Sequence, residues 1–203
     1  MSVQLPLFDH LATNAPSGEE MAHRVRYQPI HVSGSTFLGG LSADIHRWFR
    51  LTPSFGPDLV SEMLGVLHAE RGDYILDPFS GAGTTAIETS LEGIDSISFE
   101  INPFLHFVNQ VSLNWALEHE RLSAQLDEIC ESFSKNVSRV SFDTLEKAGY
   151  RIPPIHNPTR WWRPDVLVEL LVLRESIDQL QNKEHRDFFR LALAGVLVPD
   201  LTN

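Results

Sequence analysis

The apolar positions of the chain fall into two kinds of pattern. Behind Pro57, residues Leu59, Val60, Met63, Leu64 and Leu67 recur at helical spacing. Proline suits the first turn of a helix, where its missing N–H has no partner to lose. Gly72 is the expected stop. Tyr74-Ile75-Leu76 is then a short apolar run ending in Asp77-Pro78, which predicts a buried strand and its exit. A glycine turn follows, then a helix from about Thr84 to Leu91 closed by Gly93. Ser96 to Phe99 predicts a second strand, with Glu100 at its end, and Pro103 opens a helix reaching about Ala116. Residues 73–116 thus spell strand, glycine turn, helix, strand, helix, the opening of a parallel α/β sheet.

The rest of the pattern is helical. Leu122, Leu126, Ile129 and Phe133 share one helical face, and Val166, Leu170, Leu173 and Ile177 share another after Pro164. A last helix is expected from about Glu184 to Val196. The proline-rich stretch RIPPIHNPTRWWRP (151–164) connects these segments, and no buried strand is legible after Phe99. The first 35 or so residues are weakly periodic and broken by Ser33–Thr36 and Gly39–Gly40. The expected division is an N-terminal arm over 1–40, an α/β portion over 41–116 and a helical region over 117–203.

Composition narrows the function classes. The 203 residues are 42% hydrophobic and 21% charged, as in soluble globular proteins. With 16 basic and 27 acidic residues the formal charge is −11, which opposes tight non-specific binding to phosphate without excluding a local basic groove. Cys130 is the only cysteine, so no intramolecular disulfide forms, which fits a cytoplasmic location. No signal peptide and no membrane-length apolar stretch is read. His46, His106, His119, His156 and His185 show no ligand-like pairing; surface or capping roles are expected, and no metal site. Trp161-Trp162, flanked by Arg160 and Arg163, has the residue types to stack on bases, but an aromatic anchor for the following helix is the expected role. Phe188 and Phe189 are expected in the core.

The sharpest chemical signal is Asp77-Pro78-Phe79-Ser80-Gly81-Ala82-Gly83-Thr84-Thr85. Glycines after a strand admit a ligand that a Cβ would exclude, and the following helix turns unpaired N–H groups toward it. Glu100, at the end of the next strand, is placed to accept hydrogen bonds from both ribose hydroxyls of a nucleoside. Two other readings stay open: a ligand-free strand–helix turn with a chance acidic residue, and a nicotinamide-binding domain. The latter fits less well, because the position three after Gly83 is Ala86 and the Asp-Pro-Phe lead is unusual there.

DPFSGAGTT (77–85) resembles motif I of the DNA methyltransferases that modify the exocyclic amino group of adenine or cytosine. FEINP (99–103) resembles their motif II, and HRWFRLTPSFGPDLVSEML (46–64) their motif X. The resemblance covers about residues 45–110 in the order X, I, II. It implies an α/β class I, S-adenosylmethionine (SAM)-dependent methyltransferase fold, Rossmann-like. It also implies SAM as cofactor, DNA as partner and a place in restriction-modification. Carried over, Asp77, Pro78, Phe79, Gly81, Gly83, Thr84 and Thr85 would line the SAM pocket, Glu100 would hold the ribose and Ile101 would pack on the adenine. Trp48, Phe55, Pro57, Leu59 and Val60 match the stretch that closes over the methionine end, although plain core packing accounts equally for Trp48 and Phe55.

The same resemblance implies a catalytic motif, [D/N/S]-P-P-[Y/F/W], whose aromatic ring stacks on a flipped base. The only Pro-Pro is Pro153-Pro154, between Ile152 and Ile155, so no catalytic residue is assigned. Few strands are visible for such a sheet. A truncated methyltransferase fold, or one half of a split enzyme completed by a second polypeptide carrying the motif, is the expectation. A divergent complete domain whose strands read as helices is the alternative. Functionally, the expectation is the SAM-binding part of a DNA amino-methyltransferase, inactive alone. The alternatives are a non-catalytic SAM-binding or partner-binding subunit and a methyltransferase acting on RNA or small molecules.

Overall fold

A computed structural model of the chain describes residues 36–197 apart from 37 and 52. The arm expected over 1–40 lies almost wholly outside the described residues.

Helix α1 (Pro57–Leu67) starts as its sequence predicts, with Pro57 in the first turn and Asp58 beside it. It stops earlier than Gly72, at His68, which takes the left-handed conformation (φ 53°). The reason is a local closure: His68 N–H donates to Gly65 O and Ala69 N–H to Leu64 O, which satisfies the terminal carbonyls. Gly72 (φ 104°) instead shapes the turn into the first strand.

Strands β1 (Tyr74–Asp77) and β2 (Asp95–Ser98) pair in parallel, Tyr74 opposite Asp95 and Asp77 opposite Ser98, with helix α2 (Thr84–Glu92) between them in sequence. The ladder runs on past the strand ends, where Phe99 N–H donates to Asp77 O and Ser80 N–H to Phe99 O. Among the described residues the sheet has these two strands.

The expectation that the first strand is buried is corrected. Ile75 packs with Val60, Leu64 and Ile94 under α1, but Tyr74, Leu76, Ile97 and Phe99 are 71%, 62%, 50% and 59% exposed. Side chains alternate along a strand, and the described residues cover one face of this sheet.

Helix α3 (Pro103–Ser112) ends before Ala116, because the Trp115 indole N–H caps the Ser112 carbonyl. Helices α4 (His119–Val137), α5 (Pro164–Asp178) and α6 (Lys183–Leu197) form the helical portion. On α4, Ile129 is buried and Leu122 and Phe133 pack inward, but Leu126 is exposed. On α5 the buried apolar positions are Leu167, Val168, Leu171, Val172 and Ile177; of the predicted stripe Ile177 is buried and Leu173 packs beside it, while Val166 and Leu170 are only half-buried. That helix touches two cores, one with Leu145 and one with Ile129, Leu180 and Phe189, so its apolar residues ring most of its circumference.

Trp162 packs into the Leu145 core while Trp161 stays exposed, so one tryptophan of the pair anchors α5. Phe188 and Phe189 sit in the core. The surface reading of the histidines fails for two of them. Buried His46 bonds Glu88 through Nε2 at 2.7 Å, and buried His185 bonds Gln125 through Nδ1 at 2.6 Å. A neutral or charged imidazole survives burial when a partner is built in.

Candidate functional site

The site grows from the end of β1. Asp77 turns its Oδ1 back to accept the Phe79 N–H at 3.0 Å, a turn that Pro78 accommodates without losing a donor. Ser80 is buried and its carbonyl accepts the Gly83 N–H at 2.8 Å, closing the loop on itself. Gly81 (φ 52°) and Gly83 (φ 91°) occupy the left-handed region that this closure demands. Gly83 is then the N-cap of α2 and contributes no side-chain cap. The first amides of α2, beginning at buried Thr84 and at Thr85, have no partner within the helix, as at any helix N-terminus.

Glu100 stands across from this turn. Its Oε2 accepts the Gly81 N–H at 2.8 Å and its Oε1 accepts the Asn102 N–H at 2.8 Å. Each carboxylate oxygen is therefore pinned by one backbone amide and retains acceptor capacity on its other side. Asn102 in turn caps α3, accepting from the Phe104 and Leu105 amides. Beside these polar groups lie two apolar side chains with almost no cover: Phe79 is 89% exposed and Ile101 is 99% exposed. The structure thus brings Asp77, Pro78, Phe79, Gly81, Gly83, Thr84, Thr85, Glu100 and Ile101 to one place.

The segment before α1 joins the turn by residues other than the expected aromatics. A side chain on Gly81 would meet Leu51 at 3.3 Å, so this leucine roofs the turn. His46 reaches α2 through Glu88, whose other oxygen accepts from Ser61 of α1 at 3.2 Å. Trp48 packs edge-on against Phe188 of α6, ring centres 5.3 Å apart. Phe55 is 37% exposed and Pro57 is buried at the start of α1.

Sequence reasoning missed Asn109, whose side chain donates to Gly81 O at 2.6 Å. The signal was available: it is a carboxamide on the α3 face that also carries Leu105, Val108, Val111 and Ser112, where a polar group needs a built-in partner. Pro153-Pro154 is a tight connector, with the Ile155 N–H donating to Pro153 O at 2.8 Å and Ile152 packed on the Leu145 core. No helix among the described residues is long and apolar enough to cross a membrane.

Residues 46–110 match the family described as DNA methylase. Type II methyltransferase M.BsoBI of Geobacillus stearothermophilus is 40% identical over 99 residues, 45% of this chain and 19% of that relative. Type II methyltransferase M.MjaII of Methanocaldococcus jannaschii is 36% identical over 90 residues, 43% of this chain and 17% of the relative. A longer, weaker likeness joins 78% of this chain to 36% of type II methyltransferase M.MvaI of Kocuria varians, at 19% identity. The chain thus matches well under half the length of each of these relatives. No solved structure matches it.

Proposed function

We propose that the chain, whose residues 46–110 match the DNA methylase family, supplies the SAM-binding part of a methyltransferase acting on the exocyclic amino group of adenine or cytosine in DNA. The observation that carries this reading is the pinned carboxylate of Glu100. Amides of Gly81 and Asn102 hold its two oxygens in place, and the remaining lone pairs suit a vicinal diol such as the ribose hydroxyls. Ile101 offers an apolar surface for the adenine, and Phe79 flanks the turn. The α2 N-terminus behind Gly83 presents amides for the amino-acid end of the cofactor. When bound, SAM supplies an activated methyl group, so the protein's work is orientation and exclusion of water.

Within residues 1–203 no side chain stands in the catalytic motif, since the one Pro-Pro is a structural connector. On this reading the chain by itself transfers no methyl group. Polypeptide outside these residues, such as a second chain, brings the motif that orients the target amino group. The uncovered sheet face of Tyr74, Leu76, Ile97 and Phe99 supports a partner docking there, and equally favours a second reading, a non-catalytic subunit that binds SAM and a partner.

Calorimetric titration of the chain with SAM tests the cofactor site. Glu100→Ala should weaken binding by about 1–3 kcal/mol, the cost of leaving a ribose diol and two amides without their acceptor. A folded wild-type chain that takes up no SAM at millimolar ligand rejects the reading.

A further inference from the structure

Asn109 is 7% exposed, and its two side-chain heteroatoms have opposite fates. Nδ2 donates to Gly81 O at 2.6 Å and to Leu105 O at 2.9 Å. Oδ1 is buried with no hydrogen-bond partner. Exchanging the two atoms would set an oxygen against two carbonyl oxygens, so the orientation is dictated by its acceptors. An orphaned acceptor is unfavourable for folding, and a residue retained for packing alone would not create one.

The orphan faces Gly83. A Cβ at that glycine would lie 2.2 Å from Oδ1 and 2.8 Å from Cγ of Asn109. The carboxamide fills the space that any side chain at position 83 would need, and Gly83 already sits at φ 91°. Asn109 therefore grips the turn at two points, the Gly81 carbonyl and the Gly83 Cα. At the start of the same helix, Asn102 N–H holds Glu100. Helix α3 thus has two separate attachments to the site, one at the carboxylate and one at the turn.

We propose that Asn109 is a positioning residue for the glycine turn. It sets the path of Gly81–Gly83, and with it the α2 amides that meet the amino-acid end of the cofactor, while Glu100 serves the nucleoside end. The inference rests on the SAM reading given above. It separates the two halves of the ligand, which a purely structural role would not.

The test uses the full 203-residue chain and two probes. S-adenosylhomocysteine carries both ends of the cofactor, and 5′-methylthioadenosine lacks the amino-acid end. Asn109→Asp keeps the shape but removes the donors, and Asn109→Ala removes the grip altogether; circular dichroism checks that each is folded. Both variants should bind S-adenosylhomocysteine at least about tenfold more weakly and lose severalfold less for 5′-methylthioadenosine, whose share of the loss comes only through the Gly81 amide on Glu100. Equal losses for both probes, an unchanged S-adenosylhomocysteine affinity, or loss of folding in both variants would overturn the inference and leave Asn109 a packing residue. A folded wild type that binds neither probe would overturn the cofactor reading itself, and the inference with it.

Discussion

In the helical portion, Leu145, Leu167, Leu171 and Val172 are 3% exposed or less, whereas on the sheet Tyr74, Leu76, Ile97 and Phe99 are at least 50% exposed. Both regions are rich in apolar residues, so the difference lies in how each kind of element is completed. Helices α4, α5 and α6 satisfy their own backbone groups and need only one another's faces to close a core. A parallel strand pair needs neighbours for its edges and cover on both faces. Here α1 and α2 cover one face, and the other presents four large apolar side chains to solvent.

The comparison can be broken by truncating matched leucines. Leu171→Ala, in the closed region, should destabilise the chain by about 2–5 kcal/mol, read as a lower urea midpoint at unchanged slope. Leu76→Ala, on the open face, should stay within about 0.5 kcal/mol of wild type. Similar losses at the two sites would mean that the sheet face is covered in solution, for instance by self-association. In that case the Leu76 effect should fade on dilution.

The same difference sets what could be read from the sequence. Residues 74–100 were legible nearly to the residue, because a three-residue apolar run, glycines that must adopt positive φ and an acidic strand end leave few alternative arrangements. The open face was not legible, since an apolar run reports that cover is wanted and not whether these residues provide it. On α5 the stripe was right at Leu173 and Ile177 but missed Leu167, Val168, Leu171 and Val172, because a helix buried on two sides has no clean polar face to fix its phase. His46 and Asn109 escaped for a third reason. Each is a polar residue made tolerable inside by a partner far along the chain, Glu88 for one and Gly81 for the other, and pairings at such separation leave no periodic trace.

A smaller effect sharpens the boundary between the regions. Gly195 on α6 lies where a Cβ would come within 2.8 Å of the Trp48 carbonyl oxygen. Alanine for glycine inside a helix ordinarily stabilises by roughly 0.5–1 kcal/mol. Here the added methyl meets backbone, which cannot swing away, so overpacking should win and Gly195→Ala should destabilise by about 1–3 kcal/mol. Trp48 fluorescence near Phe188 should change with it, since the indole rests edge-on against that ring. A variant more stable than wild type would show that α6 and the segment before α1 are held less tightly than this contact implies.

The smallest effect expected is at the exposed start of α5, the central helix of the closed region. The Arg163 guanidinium hydrogen-bonds Asp165 and holds its carboxyl at about 2, below the ordinary 3.8; desolvation opposes this, and the Val166 amide and the Arg163 charge add to the lowering. A carboxyl lowered in the folded state contributes stability that is fully present above its unfolded value and disappears as pH falls through its folded value. The window therefore lies between about pH 4 and about pH 2, and the contribution is small because both partners face solvent and are screened. Asp165→Asn removes the titration and also a negative charge from the first turn of α5, where it favours the helix dipole. The gap in melting temperature between wild type and Asp165→Asn should be constant above about pH 5 and narrow as pH drops toward 2. A gap that keeps its size across that range would assign the effect of Asp165 to hydrogen bonding that asparagine cannot replace, and not to its charge. Added salt separates the same alternatives from another side, shrinking the gap at neutral pH only if charge produces it.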